Sequence, residues 1–312
     1  MSVGGSRVPR MHDTDPGEQE YIALVALLGE RAGTDSRRRH TGWSAIAAEV
    51  MRRGSALAVF NERHPLTLDG PRESDAALVG ARNRLARWRA ADFDVLTVLD
   101  RRYPLQLKHV QPLPPVLFVR GKLLADEVGV SVVGSRSVSV RGRQMAGAVA
   151  RGLVERGFAV ISGLATGVDA AAHHGTLAAG GRPIGVLGTG ITRVYPETNR
   201  ALHERVAAAG ALVSQFLPEC PPDKHTLALR NATMAGLSRA SVVVEADERS
   251  GSRVHARCAL ACSRPLIVTD AVVASTRWGR ELSHRPGVYV AGSTTEVLRV
   301  VDRVVSDVDV GG

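Results

Sequence analysis

Cysteine is nearly missing. Three thiols in 312 residues, Cys220, Cys258 and Cys262, are too few and too irregularly spaced for a disulfide framework or a four-cysteine zinc site, and no metal site is expected. Cys258 and Cys262 share one face of an Ala-rich helical stretch and read as small buried residues. Such sparing use suits a reducing compartment, so a cytoplasmic location is expected. Long apolar runs are missing too: none approaches the ~20 residues that cross a bilayer, so no membrane partner is expected. The first residues, MSVGGSRVPRMHDTDPGEQE, contain no apolar stretch of the secretory kind, and no signal peptide is expected. Aromatics are few, 5 Phe, 4 Tyr and 3 Trp, which leaves little flat surface for stacking. Lysine is rarer still: of 40 basic residues only Lys108, Lys122 and Lys224 are lysines. None follows a G-x-x-x-x-G sequence, which excludes nucleotide hydrolysis of the P-loop type.

What is present is arginine. Lys and Arg outnumber Asp and Glu by 40 to 31, a formal charge of +9. An excess of this sign favours a polyanionic partner, because each phosphate neutralised by the protein releases counterions. With 44% hydrophobic and 23% charged residues the composition is that of a water-soluble globular protein. At roughly 150 residues per domain the length suggests about two domains.

The pattern divides accordingly. Residues 1–17 are polar and read as a disordered tail. Residues 18–73 read as a small helical N-terminal domain and linker: YIALVALLGE and WSAIAAEVMRRGSALAVF carry helical periodicity, split by the basic stretch Ser36 to His40, and 61–73 hold the linker's prolines and glycine. Ser74 is expected to cap the helix that follows. From 74 to 312 a second domain is expected, with its core at 128–306. There one rhythm repeats: a short apolar strand, a small-residue turn, a helix. The strands are GVSVVG, FAVISG, RPIGVLG, ALVSQF, ASVVVEA, PLIVTD and GVYVAG, preceded by DVLTVLD and VLFVRG. Strands apolar on both faces belong to a helix-covered, mostly parallel sheet, so the fold class is doubly wound α/β.

In such a sheet ligands sit at the carboxyl ends of the strands, where turns meet helix N-termini. Gly134-Ser135-Arg136 follows the first strand of the series: glycine lets an anion approach the backbone, free N–H groups and the Ser135 hydroxyl can donate, and Arg136 adds a planar charged fork. Ser162-Gly163 opens a second small turn. Gly188-Thr189-Gly190 makes a third and runs on to Tyr195 and Asn199. Arg230-Asn231 reads as opening a helix, and Ser250-Gly251-Ser252 as starting another. Together these turns form a candidate phosphate cradle. A dinucleotide fingerprint fails, because Arg193 stands where its third glycine belongs. Asp169 and His173, four apart on one helix face, could hydrogen-bond; no nucleophile accompanies them, and they read as a helix-terminal carboxylate holding a histidine. Glu245, at the end of its strand, reads as structural. No catalytic residue and no cofactor is assigned.

From about Trp88 to Gly251 the chain resembles the DprA/Smf family of DNA-processing proteins. The matching pieces are DRRYPLQL, PPVLFVRG, VVGSRSVSVRG, ISGLATGVDAAAHHGTL, GVLGTGITRVYPETN, the turn ending in Ser214, RNATMAGLS and VVVEADERSGS, in family order and spacing. The resemblance implies a Rossmann-like domain that binds single-stranded DNA without cutting it, forms a homodimer, and hands the strand to the RecA recombinase in natural transformation and recombination. It assigns DNA contacts to Ser135, Arg136, Ser162, Gly163, Asn199, Arg230 and Asn231. There are departures. Ala232 stands where the family repeats an arginine, Ser214-Gln215-Phe216-Leu217 replaces S-E-Y/F-P, His255-Ala256 replaces Thr-Ala, and Thr269-Asp270 replaces Pro-Gly. No G-x-N-x-L-I stretch follows, and no counterpart of the family's C-terminal winged-helix domain is expected. Losing one phosphate-facing arginine costs on the order of 1–3 kcal/mol of charge-assisted bonding.

With so few aromatics, the contact expected is mainly electrostatic and tolerant of sequence: phosphates on Ser135, Arg136 and Arg230, and one base near Tyr195. The alternative is a sensor of a nucleotide ligand on the same kind of domain, for example in phage defence. A nucleoside-phosphate hydrolase would require P-G-G-x-G-T-x-x-E, which the sequence lacks.

Overall fold

The computed structural model describes residues 17–30, 36–65 and 73–309. The expected tail, apart from Gly17, and most of the expected linker lie outside the described residues. Three helices, Glu18–Glu30 (α1), Ser36–Arg53 (α2) and Ala56–Arg63 (α3), lead the chain, and Glu73–Arg89 (α4) follows. They hold one another by charge as well as by packing. The Glu20 carboxylate of α1 accepts the Ala56 and Leu57 N–H groups at 2.6 and 3.1 Å, and Ser55 Oγ accepts the Ala58 N–H at 3.0 Å. The first turn of α3, whose N–H groups have no partner within the helix, is thereby satisfied. The basic stretch Ser36 to His40 does not separate one helix from the next: it is the start of α2. Ser74 lies inside α4, one residue beyond its start, and its side chain lies outside the described residues.

The remainder alternates as its pattern predicts: Asp94–Thr97 (β1), Val116–Gly121 (β2), Gly129–Val133 (β3), Val140–Val154 (α5), Ala159–Ser162 (β4), Val168–Ala178 (α6), Pro183–Val186 (β5), Arg200–Ala209 (α7) and Ala211–Ser214 (β6). Then come Lys224–Leu237 (α8), Ala240–Val243 (β7), Ser252–Ala261 (α9), Leu266–Thr269 (β8), Asp270–Ser275 (α10), Arg277–Ser283 (α11), Val288–Ala291 (β9) and Thr294–Asp309 (α12). The strands form one sheet in the order β1-β2-β6-β5-β4-β3-β7-β8-β9. From β6 to β9 all neighbours are parallel, whereas β1 and β2 add to the β6 edge antiparallel. The sheet is Rossmann-like and doubly wound: the chain runs outward from β3 through β4 and β5 to β6, then returns to lay β7 on the other side of β3.

Period-two alternation sorts the strand residues onto two faces. Val130 and Val132 pack with α5, α6 and α12 on one face, while Val133, Ile161 and Val243 pack toward α8 and α9 on the other. Strands β3 to β8 are buried at every residue, which is why they read as continuous apolar runs. The edge strand β9 is only half-covered. Helices α5 and α6 meet backbone to backbone. A Cβ on Gly175 would stand 2.6 Å from the Gly147 carbonyl oxygen, so only glycine permits this approach. No helix among the described residues is long and apolar enough to cross a membrane. The three thiols are half-exposed rather than buried, and burial still pushes Cys258 up to about 11.

Candidate functional site

β3 and β7 are neighbours whose chains leave in opposite directions, β3 toward β4 and β7 toward β8. A doubly wound sheet opens a crevice at this reversal, beyond the carboxyl ends of the strands. Here it is a cleft of about 650 Å³. Residues 134–137 form one wall and 247–255 the other, and α8 closes it with Lys224, Leu227, Ala228, Arg230, Asn231 and Met234.

The β3 wall contains the predicted Gly134-Ser135-Arg136 turn, with one correction. Some of the N–H groups around the start of α5 are already taken. The Ser135 N–H donates to the Glu245 carbonyl at 2.7 Å, the Ser139 N–H donates to Glu245 Oε1 at 2.8 Å, and the Gly142 N–H donates to Ser139 Oγ at 3.0 Å. Glu245 therefore ties the end of β7 to the start of α5, the structural role that its position in the sequence suggests. What the wall offers a ligand is the Ser135 hydroxyl, which accepts from the Ser137 N–H at 3.2 Å and keeps its own hydrogen to donate, and the exposed guanidinium of Arg136. Gly134 lets the strand end close on its neighbours: a Cβ there would meet the Glu245 carbonyl and Val168, both at 2.6 Å.

Arg230 is the unusual residue. It lies in the middle of α8, not at a helix start: α8 begins six residues earlier, where Asp223 and Thr226 form a capping box. Its side chain is 6% exposed, Nη1 donates to the Val186 carbonyl at 2.6 Å, and Nε has no partner. Burial pulls this guanidinium below the ordinary arginine range; Asp169 opposes that and Arg136 reinforces it. Gly163 makes the room, since a Cβ there would stand 1.9 Å from Nη1. Asp169 accepts the Gly163 and Ala165 N–H groups at 3.2 and 3.4 Å, so it fixes the turn after β4. Burial raises its carboxyl above the usual range, while Arg230 and those N–H groups act the other way. The expected Asp169–His173 hydrogen bond is not made. His173 is fully buried with neither ring nitrogen partnered, and burial takes it down to about 3.

Other predicted residues lie away from the cleft. Ser162 is wholly buried and donates its hydroxyl to the Val132 carbonyl at 2.7 Å, so that hydroxyl belongs to the sheet. Gly188 and Gly190 are close-packing positions: a Cβ on the first would meet Leu227 at 2.5 Å and on the second the Pro218 carbonyl at 2.1 Å. Tyr195 is 38% exposed and follows β5, outside the cleft lining. Asn199 Nδ2 donates to the Leu164 carbonyl at 2.9 Å, tying the loops after β4 and β5 together. On the opposite wall Ser250, Gly251 and Ser252 do line the cleft, with Ser250 Oγ and Ser252 Oγ 2.7 Å apart at the start of α9.

Sequence reasoning missed Lys224 and Arg249 as lining cations, and met His255 only as a departure from a pattern. Lys224 follows a legible cap, Asp223-x-x-Thr226, which places it in the first turn of a helix. His255 is 1% exposed, with Nε2 3.0 Å from Ser241 Oγ and Nδ1 unpartnered; burial takes it down to about 3. Ala232, at the position of the missing arginine, is buried within α8. No group of three His, Cys, Asp or Glu side chains able to hold a metal occurs among the described residues. Chemically, the arrangement is a cation-rich recess with a buried guanidinium whose burial Asp169 only partly offsets, suited to holding an anion.

Comparison with known proteins identifies the family. Residues 94–301 match the family model described as DNA recombination-mediator protein A. The chain is 40% identical over 169 residues to Protein Smf of Synechocystis sp. (53% of this chain, 42% of that one). It is 33% identical over 185 residues to DNA processing protein DprA of Bacillus subtilis (59% and 62%) and 41% identical over 205 residues to Protein Smf of Escherichia coli (63% and 53%). The matched part thus spans about half the length of these curated relatives. Among solved structures, DNA processing protein A from Streptococcus pneumoniae superposes with a TM-score of 0.68 at 28% identity, over 89% of this chain and 97% of that one. DNA processing protein A from Helicobacter pylori, solved for its single-stranded DNA binding mode, shares the fold with a TM-score of 0.60 at 23% identity, over 68% and 96%.

Proposed function

Because the chain belongs to the DNA recombination-mediator protein A family, we propose that it binds single-stranded DNA without cutting it, protects the strand and passes it to the RecA recombinase. The observation that carries the reading is Arg230: a guanidinium 6% exposed, with Nε unpartnered, lining a cleft shared with Arg136, Lys224 and Arg249. Keeping a charge out of water costs several kcal/mol, which Asp169 only partly offsets, and a phosphate supplies a further counter-charge with matching fork geometry. Ser135 adds a neutral donor beside it. The lining residues on the apolar side, Leu227, Met234 and Val254, suit the face of any base, so the contact tolerates sequence. Self-association as a homodimer and delivery to RecA are parts of the proposal that rest on the family.

Labelled oligo-dT and duplex DNA titrated against wild type, Arg136→Ala and Arg230→Ala test it. Wild type is expected to prefer the single strand, and each substitution to weaken binding of every sequence alike, by about tenfold for a lost charge-assisted contact. Affinity is expected to fall steeply between about 50 and 200 mM salt. An affinity flat across that range, or unchanged in both variants, rejects the reading. Recovery of the labelled strand intact, and faster RecA strand exchange in the protein's presence, test the remaining parts.

A further inference from the structure

The charge inventory of the cleft goes beyond a generic grip on a phosphate. Four cations line it, Arg136, Lys224, Arg230 and Arg249, against two carboxylates, Asp169 and Asp247. The excess is two positive charges, and the one buried cation, Arg230, donates from Nη1 to a carbonyl, leaves Nε unpartnered and has its burial only partly offset by Asp169. Arg136 lies near enough to weigh on it. A phosphodiester inside a strand carries one negative charge. A phosphate monoester carries about 1.5 to 2 at neutral pH, with three terminal oxygens instead of two. The cleft's excess of two positive charges is matched by the monoester and half-matched by the diester.

Size and lining lead to the same ligand. The recess of about 650 Å³ falls within the range, about 300–1,000 Å³, of pockets that enclose a small molecule. It is large enough to take in one whole nucleotide rather than a bare phosphate. Beside the cations stand Leu227 and Val254, apolar surface for the face of a base. Asn231, 7% exposed, brings a buried polar side chain to the same lining. Groups of this kind persist where a ligand completes their hydrogen bonds.

We propose that the cleft receives a terminal nucleotide bearing a phosphate monoester, the phosphorylated end of a single strand, with its phosphate on Arg136 and Arg230 and its base edge on Asn231. The inference rests on the strand-binding reading and names the part of the strand that this site takes. A free nucleoside monophosphate presents the same chemistry and is the other source of it.

The experiment is fluorescence anisotropy on the full chain with three oligo-dT strands of equal length: one with a 5′-phosphate, one with a 3′-phosphate, and one with hydroxyls at both ends. Thymidine monophosphate serves as competitor. One phosphorylated end is expected to bind at least about tenfold more tightly than the hydroxyl strand. That preference is expected to vanish in Arg136→Ala, an exposed position whose loss leaves the fold intact, and the monophosphate is expected to displace the phosphorylated strand. Equal binding of all three strands overturns the inference and leaves strand binding standing. Binding of the monophosphate but of none of the strands overturns presentation by a strand and, with it, the strand-binding reading. A preference unchanged in Arg136→Ala overturns the assigned phosphate position.

Discussion

A methyl group on Gly163 would stand 1.9 Å from Arg230 Nη1, so Gly163→Ala forces the guanidinium out of its slot between the turn after β4 and the Val186 carbonyl. Overpacking of this kind costs about 1–3 kcal/mol, and the displaced arginine no longer faces the cleft as it did. Gly163→Ala is therefore expected to bind oligo-dT as weakly as Arg230→Ala and to unfold at lower urea concentration; wild-type affinity in Gly163→Ala would contradict the slot. The double substitution Arg230→Met with Asp169→Asn removes both buried charges and keeps an acceptor for the Gly163 and Ala165 N–H groups. It is expected to lose binding while its urea midpoint stays within about 1 kcal/mol of wild type or rises. The buried histidines make a second prediction. Burial takes both His173 and His255 down to about 3, whereas an unfolded histidine titrates near 6.5. As pH falls below the unfolded value, the unfolded chain takes up protons that the native state refuses, so stability is full above about 6.5 and drains away toward 3. Each residue contributes roughly 1 kcal/mol per pH unit across that window. Urea midpoints at pH 7.5, 5.5 and 4.5 are expected to fall progressively, and His255→Asn to fall less steeply; parallel slopes would mean that His255 is protonated in the native state.

Helix α5 shows how an element can carry the right residues for one task and use them for another. Its N-terminus follows the Gly134-Ser135-Arg136 turn, the usual place for an anion, yet the Glu245 carboxylate already occupies it through the Ser139 N–H and hydroxyl. Glu245→Ala is expected to cost about 1–2 kcal/mol, the scale of a lost cap, read as a lower thermal midpoint. Retention of the wild-type midpoint would show the tie to be idle. The same element-level view explains what the sequence displays in advance. Strands β3 to β8 are legible because burial on both faces leaves an unmistakable apolar run. The middle of α8 is not. Thr226, Arg230, Asn231 and Thr233 are all buried, so the helix shows no polar face and no helical period, and Arg-Asn looks like a beginning. The short helices α10 and α11 escape notice in the sequence although Thr269 and Thr276 cap them, because six or seven residues are too few to show a period. Ser162 and the Gly188-Thr189-Gly190 turn look like ligand contacts from residue type alone. Whether a hydroxyl faces a cleft or a neighbouring carbonyl is settled by register across the sheet, which one sequence does not display.

At the scale of the whole molecule, the cleft draws its walls from opposite windings of one sheet, with residues 134–137 on one side and 247–255 on the other. A ligand that touches both is bound by the native state alone and stabilises it by mass action, about 2.7 kcal/mol at a hundred times its dissociation constant. Saturating phosphorylated oligo-dT is expected to raise the thermal midpoint and to slow hydrogen exchange in both walls together; protection confined to one wall would mean that the ligand sits elsewhere. The glycine contact between α5 and α6 bears on how such a guest is accommodated. Because Gly147 and Gly175 leave no side chain between the two helices, that seam cannot slide without steric collision, and the loops that precede α5 and α6 inherit its rigidity. Adjustment to a larger or smaller guest falls to the far bank, where exposed Asp247, Glu248 and Arg249 have no such seam and are tied to α11 by hydrogen bonds, from the Arg277 N–H to Glu248 Oε2 at 2.8 Å and from Trp278 Nε1 to the Asp247 carbonyl at 3.3 Å. The recess works as a vice with one fixed jaw.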